Sequence, residues 1–314
     1  MTKTLLFAGE VFCDLLLTDI ALPEAGGETF ASDFAISPGG VANRAVAAAR
    51  AGAPTRLLSR LGDDPLGREL RMMLESEPGL RCSWLETPEG WQTPVSVCLA
   101  SPENRSFLTY REEPRPLSPP EDIGPVAAVH VGLAGGPLPE WVARLRAAGA
   151  TVVGGVGWDA TGEWSGDVLD RLAGVDVFVP NDVEAMRYTR TESPLAAART
   201  LAERVPLVLV TRGADGVIAV DSRTDRVLRV PAVPVDVVDP TGAGDVFVAT
   251  FMAAHSAGDG DLESQIRLAG LAASVSVTGL GGARSAPTRA DLLEFLRTHP
   301  VDGDWTFLQQ IGES

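Results

Sequence analysis

The segment Val233-Pro-Val-Asp-Val-Val-Asp-Pro-Thr-Gly-Ala-Gly-Asp245 passes from alternating apolar residues, through a turn of small residues, into the apolar run that starts at Ala243. Its spacing predicts a strand over 233–238, a tight turn, and a helix over 243–256. Small residues let a ligand approach the backbone closely. The free N–H groups of a helix's first turn, with the helix dipole, make an anion site. Asp245 falls in that turn, where a carboxylate either caps the helix or removes a proton from whatever the turn holds. The segment alone does not choose between the two.

The same strand–turn–helix unit recurs on either side. Strands are predicted over 126–131, 151–156, 175–179 and 207–210, interleaved with helices over 138–147, 166–172, 182–190 and 194–203. The N-terminal part adds strands over 5–8 and 55–61 and helices over 42–51 and 66–74. An antiparallel pair at 217–220 and 227–230 and helices over 262–277 and 289–298 complete the pattern. Such alternation predicts an α/β fold, a mostly parallel sheet with helices on both faces. The β-only segments 14–20, 28–35, 93–100 and 105–111 break it, with Ser101–Asn104 as a hairpin turn. They predict a small second sheet: a β lid of 14–35 and 93–112 over an α/β domain of 1–13, 36–92 and 113–314.

Composition narrows the chemistry. The chain has 314 residues, 45% hydrophobic and 22% charged, with a net charge of −16. That charge opposes binding to nucleic acid or to an anionic membrane. No apolar run is long enough for a bilayer, and Glu10 and Asp14 cut the Leu5–Ala8 stretch too short for a signal peptide, so a cytoplasmic protein is expected. Cys13, Cys82 and Cys98 have neither disulfide nor zinc spacing. His130, His255 and His299 are the only histidines, and there is neither a G-x-S-x-G nor a Rossmann G-x-G-x-x-G. Lys3 is the sole lysine. A P-loop and a protein-kinase phosphate lysine are therefore both excluded. Any phosphoryl transfer must rely on backbone N–H groups, helix dipoles, arginine and a metal.

Further elements share this character. Ser37-Pro-Gly-Gly-Val-Ala-Asn43 is a second Gly-rich turn into a helix, followed by Ala45 and Gly52, with Gly62 beyond. Asn181-Asp-Val-Glu184 follows a strand end, where an amide and a carboxylate suit a hydrated Mg2+. Val210-Thr-Arg-Gly-Ala-Asp-Gly216 is a strand running into a Gly turn.

Taken in order, these elements resemble the ribokinase-like (PfkB) carbohydrate kinase family from about residue 5 to 298. The N-terminal signature is similar over Gly39-Gly40, Asn43, Ala45, Gly52 and Gly62, and the C-terminal one over Asp239–Asp245. The resemblance implies a ribokinase-like fold and transfer of the ATP γ-phosphate to a hydroxyl of a monosaccharide, polyol or sugar acid. It implies Asp245 as base, with the backbone of Gly242, Ala243 and Gly244 as the anion hole. Asp14, Gly39, Gly40 and Asn43 would hold sugar hydroxyls, and Arg105 on the lid would meet substrate or phosphate. Thr211, Gly213 and Gly216 would line the nucleotide, and Asn181 and Glu184 would act on Mg2+ through water. Asp239, Thr241, Ser276, Gly281 and Ser285 stand where ligands of a monovalent cation such as K+ would fall. A homodimer through the lid is also implied. The acid that a ribokinase places after one strand is missing from His130-Val-Gly-Leu-Ala-Gly-Gly136, so ribose is not the expected acceptor. A nucleoside kinase and a catalytically silent sugar sensor are the alternatives. A phosphosugar acceptor would need several cations around it, which the shortage of lysine disfavours.

Overall fold

Leu5, Leu6 and Phe7 are buried on both sides of the first strand, as expected for a strand in the middle of a parallel sheet. Successive side chains point to opposite faces, so Leu5 and Phe7 join one core and Leu6 a second. The computed structural model describes residues 3–18, 20, 25–100, 105–159, 161–301, 305 and 308. In chain order its elements are β1 (Thr4–Ala8), β2 (Val11–Thr18), β3 (Asp33–Gly40), α1 (Val41–Arg50), β4 (Thr55–Arg60), α2 (Pro65–Glu75), β5 (Leu80–Glu86), β6 (Val95–Ala100), β7 (Arg105–Tyr110) and β8 (Val126–Gly132). Then come α3 (Glu140–Ala147), β9 (Thr151–Gly155), α4 (Asp167–Asp170), β10 (Val177–Phe178), α5 (Asp182–Thr189), α6 (Pro194–Ala202), β11 (Leu207–Thr211), β12 (Val217–Asp221) and β13 (Arg226–Val230). The last elements are α7 (Ala243–Ala257), α8 (Leu262–Ser276), α9 (Gly282–Ser285) and α10 (Arg289–Thr298).

The main sheet has nine strands in the order β13-β12-β11-β10-β9-β8-β1-β4-β5. It is parallel from β5 to β11, and β12 and β13 add an antiparallel edge. One core packs α1, α2, α7, α8 and α10 on one face, and the other packs α3 to α6 on the opposite face. Helix α7 is buried all round from Val246 to Ala254, which fits its nearly unbroken apolar sequence. The chain runs outward from β1 through β4 on one side and from β8 through β9 on the other. That reversal of strand order leaves a crevice at the carboxyl ends of β1 and β8.

The second sheet, β3-β2-β6-β7, is separate from the first. The β2–β3 ladder runs from Thr18↔Asp33 to Val11↔Gly40, so it continues inward past residues 14 and 35. The expected Gly-rich turn at 37–40 is thus strand, and Gly40 ends β3 and begins α1. The hairpin turn at 101–104 lies outside the described residues.

Four other expectations change. Residues 233–238 form no strand: Val238 and Asp239 donate instead to the Val277 carbonyl, and Pro234 lacks the N–H that a ladder needs. Strand β5 was not foreseen, because on a sheet edge only Leu80 and Leu85 of its residues are buried. The helix expected at 166–172 shrinks to α4 and a 3-10 turn over Arg171–Gly174. The strand expected at 175–179 pairs only through Val177 and Phe178. Among the described residues no helix is long and apolar enough to cross a membrane.

The turn between β11 and β12 holds two glycines with positive φ, 53° at Gly213 and 79° at Gly216. A β-carbon on Gly216 would stand 2.1 Å from the Val230 carbonyl oxygen, whereas one on Gly213 would meet open space. Gly216→Ala should therefore cost on the order of 3 kcal/mol, and Gly213→Ala about 1 kcal/mol. Urea unfolding of both variants checks this, and equal losses would contradict it.

Candidate active site

The N-termini of α1 and α7 come together where α1 packs on α7. Gly40 begins one and Gly242 the other, and no side chain caps either. Five other helices receive side-chain caps, from Asp64, Asn181, Ser193, Asp261 and Thr288. In the first turn of α7 the Ala243 N–H reaches back to the Pro240 carbonyl at 3.4 Å, which leaves the N–H groups of Gly242 and Gly244 as its donors for an anion. A β-carbon on Gly242 would lie 2.5 Å from the Gly282 α-carbon, so α9 and α7 approach as closely as two glycines allow. Gly282 in turn leaves room for the Asn43 amide, which a β-carbon there would meet at 2.9 Å.

Asp245 lies in that first turn of α7. Asn43 Nδ2 donates to its Oδ2 at 3.2 Å, and Arg44 Nη2 pairs with its Oδ1 at 2.7 Å. Arg44 was not among the residues that the sequence singled out. The available signal was an arginine in the first turn of a helix, where the dipole disfavours a cation unless an anion faces it. That anion is Asp245.

Asp14 stands against Gly39, where a β-carbon would fall 2.0 Å from Asp14 Oδ2. Burial, and then the charge of Asp245, raise the Asp14 carboxyl to about 7. Asp14, Gly39, Gly40, Asn43 and Asp245 thus gather at one place, joined by Arg44. Arg105 opens β7, but its side chain lies outside the described residues.

Gly40, Arg44 and Asp245 line a cavity of about 560 Å³ that opens at the carboxyl ends of β1, β8 and β9. Glu10, Arg60, Arg111 and Arg115 line it too. The shortage of lysine therefore does not leave it short of cations. His130 is buried, stacks on Phe7 and reaches the wall. Burial, and then the charge of Arg44, hold its imidazole well below the usual range, so it is neutral.

Asn181 and Glu184 form a reciprocal cap on α5. Asn181 Oδ1 accepts from the Glu184 N–H at 2.8 Å, and Glu184 Oε2 accepts from the Asn181 N–H at 2.9 Å. Burial raises the Glu184 carboxyl, against the opposing pull of the Asn181 N–H and Arg44. Thr211 pairs with Asn181 through an isolated parallel bridge, which sets the β11 turn with Gly213 and Gly216 beside this cap. Asp239 ties two loops: Oδ1 accepts from the Thr241 N–H and hydroxyl, and Oδ2 from the Gly281 N–H. Ser285 donates to the Gly281 carbonyl, and the buried Ser276 hydroxyl donates within its own helix to Ala273.

The chain is similar to known carbohydrate kinases over nearly its whole length. A profile described as pfkB family carbohydrate kinase matches residues 4–289. The chain is 28% identical to a ribokinase of Haemophilus influenzae, over 94% of this chain and 99% of that protein. It is 31% identical to an ATP-dependent ribose-1-phosphate kinase of Halopiger xanaduensis, over 93% of this chain and 97% of that one. The structure of Arabidopsis thaliana ribokinase complexed with ribose and ATP has the same fold, with a TM-score of 0.79 at 24% identity over 95% of this chain and 99% of that chain. The chain belongs to the pfkB family of carbohydrate kinases.

Proposed function

We propose that the protein transfers the γ-phosphate of ATP to a hydroxyl of a sugar-like acceptor, with Asp245 as the general base. One observation carries this: the Asp245 carboxylate and the uncapped N–H donors of Gly242 and Gly244 share one helical turn. In that turn the acceptor oxygen bonds to the γ-phosphorus as its proton passes to Asp245. The bond from phosphorus to the bridging oxygen breaks and ADP keeps the electron pair. The backbone N–H groups meet the charge on the transferring group. Asn43 holds Asp245 in orientation through its amide, and Asp14, Gly39 and Gly40 meet acceptor hydroxyls. Thr211, Gly213 and Gly216 flank the nucleotide.

Among the described residues no three of His, Cys, Asp and Glu cluster as a metal site. That fits magnesium held mostly by nucleotide phosphates and water, with the buried Glu184 and Asn181 behind the water. Magnesium supplies charge neutralisation of the phosphates when bound. Asp239, Thr241, Gly281 and Ser285 would hold a monovalent cation beside the same turn, with Ser276 below them. The lid exposes Phe34, Phe107, Leu108 and Tyr110, which supports a homodimer through that sheet. The names of the relatives cover both a free and a phosphorylated sugar, so the likeness leaves the acceptor open.

Asp245→Asn should lower kcat by about 100- to 10,000-fold with little change in the KM for ATP. Coupled ADP release over a panel of acceptors measures it, and near-normal turnover would sink the assignment of the base. Asp14 offers a second check. Its folded pKa of about 7 lies above the unfolded value, so between about pH 4 and 7 the native state binds the extra proton. This group's contribution to stability therefore falls as pH rises through that window. Asp14→Asn should gain on the wild type between about pH 4 and 7 in urea midpoints and keep a constant lead above that. A difference that stays constant through the window itself would rule out the buried, proton-binding Asp14.

A further inference from the structure

Four arginines and two carboxylates line the cavity, in a chain whose net charge is −16. Not all four arginines are available. Arg60 is held by Glu86 and by the carbonyls of Arg115 and Pro116. Arg111 pairs with Glu10 at 2.7 Å but is half exposed. Arg115 lies over the Trp91 ring at 5.1 Å, and no carboxylate pairs with it among the described residues. Among the described residues Arg44 forms its ion pair with Asp245, and its Nε is buried without a hydrogen-bond partner.

Arg44 is not alone in this. Glu10, Trp91 and His130 line the same cavity, and Glu10 Oε1, Trp91 Nε1 and His130 Nε2 are likewise buried and unpartnered among the described residues. Buried polar atoms without partners are uncommon, because each costs about 1–3 kcal/mol. Those atoms are covered, so the polar groups that the cavity offers a ligand are chiefly the guanidinium groups of Arg44, Arg111 and Arg115. His130, 3% exposed and neutral, adds no charge to the cavity wall.

The Arg44–Asp245 pair then sets a condition on the ligand. Asp245 keeps lone pairs for the acceptor hydroxyl, but a guanidinium sits on one of its oxygens and the Asn43 amide on the other, so the hydroxyl must share an oxygen with one of them or displace it. Clearing Oδ1 moves Arg44 off its ion pair and leaves a partly buried charge with only the more distant Glu184 to oppose it, which is costly. A neutral acceptor offers nothing in exchange. An acceptor with its own anion gives Arg44 a new partner at the moment Asp245 is released.

We propose that the natural acceptor carries an anionic group, a carboxylate or a phosphate, and that Arg44 leaves Asp245 to bind it, with Arg111 and Arg115 lining the same cavity. This rests on the phosphoryl-transfer reading above and narrows its acceptor to an anionic sugar derivative. Arg44 is thereby a specificity-determining residue. It makes the base available only when the correct charge arrives.

The test uses acceptors in matched sets that share one free primary hydroxyl: a neutral aldose, the sugar acid derived from it, and its monophosphate. Wild-type enzyme with ATP and magnesium is assayed by ADP release and by the mass of the product. We expect at least one anionic member of a set to exceed its neutral partner about 100-fold or more in kcat/KM. The carboxylate and phosphate arms show which anion fits. In Arg44→Gln that preference should collapse to within a few-fold, chiefly by a rise in KM for the anionic acceptor, while Arg44→Lys keeps part of it. Neutral acceptors that match their anionic partners in the wild type would overturn the proposal. So would an Arg44→Gln variant that slows all acceptors equally in kcat, because Arg44 would then serve the transferring phosphate and not the acceptor. Absence of any phosphorylated product, from folded enzyme and with every set, would instead overturn the phosphoryl-transfer reading on which the proposal rests.

Discussion

The approach of Gly242 to Gly282 is the constraint on which the site depends. A single methyl group at either position would push α9 off the start of α7 or displace the Asn43 amide. With both positions bare, three chain segments far apart in sequence meet in one layer: α1 through Asn43 and Arg44, α7 through Asp245, and α9 through its own backbone. Protein interiors do not yield to an added methyl without cost. The geometry around Asp245 is thus fixed by what these two residues lack.

Much of this was legible in the sequence, for a physical reason. Parallel strands buried on both faces are written as unbroken apolar runs, and the helices between them as ridged apolar stripes, so the α/β alternation could be read directly. Asp245 was legible because the charge of a residue in a helix's first turn bears on what that turn can bind. The segment before it was misread, since its alternating valines satisfy a strand pattern while Pro234 and the pull of the Val277 carbonyl take its backbone elsewhere. Strand β5 escaped notice because an edge strand buries too little to leave a pattern.

Arg44 shows the limit of such reading most clearly. Nothing near it in sequence gives a reason for a cation at the start of a helix, because its partner comes from the other end of the chain. Asn181 and Glu184 show the converse. Their spacing is that of a capping box, and the structure uses it as one, so any role toward magnesium is added to a local hydrogen-bond pattern that already accounts for the residues.

The junction at Gly40 has a mechanical consequence. The last rung of the β2–β3 ladder pairs Val11 with Gly40, and Gly40 is also the residue from which α1 springs. No slack linker separates the small sheet from the helix that carries Arg44 four residues later. The sheet is therefore mounted like a lever, with the first turn of α1 as its short arm. Any rocking of its four strands must be absorbed as torsion at that one glycine or passed on as a displacement of the guanidinium.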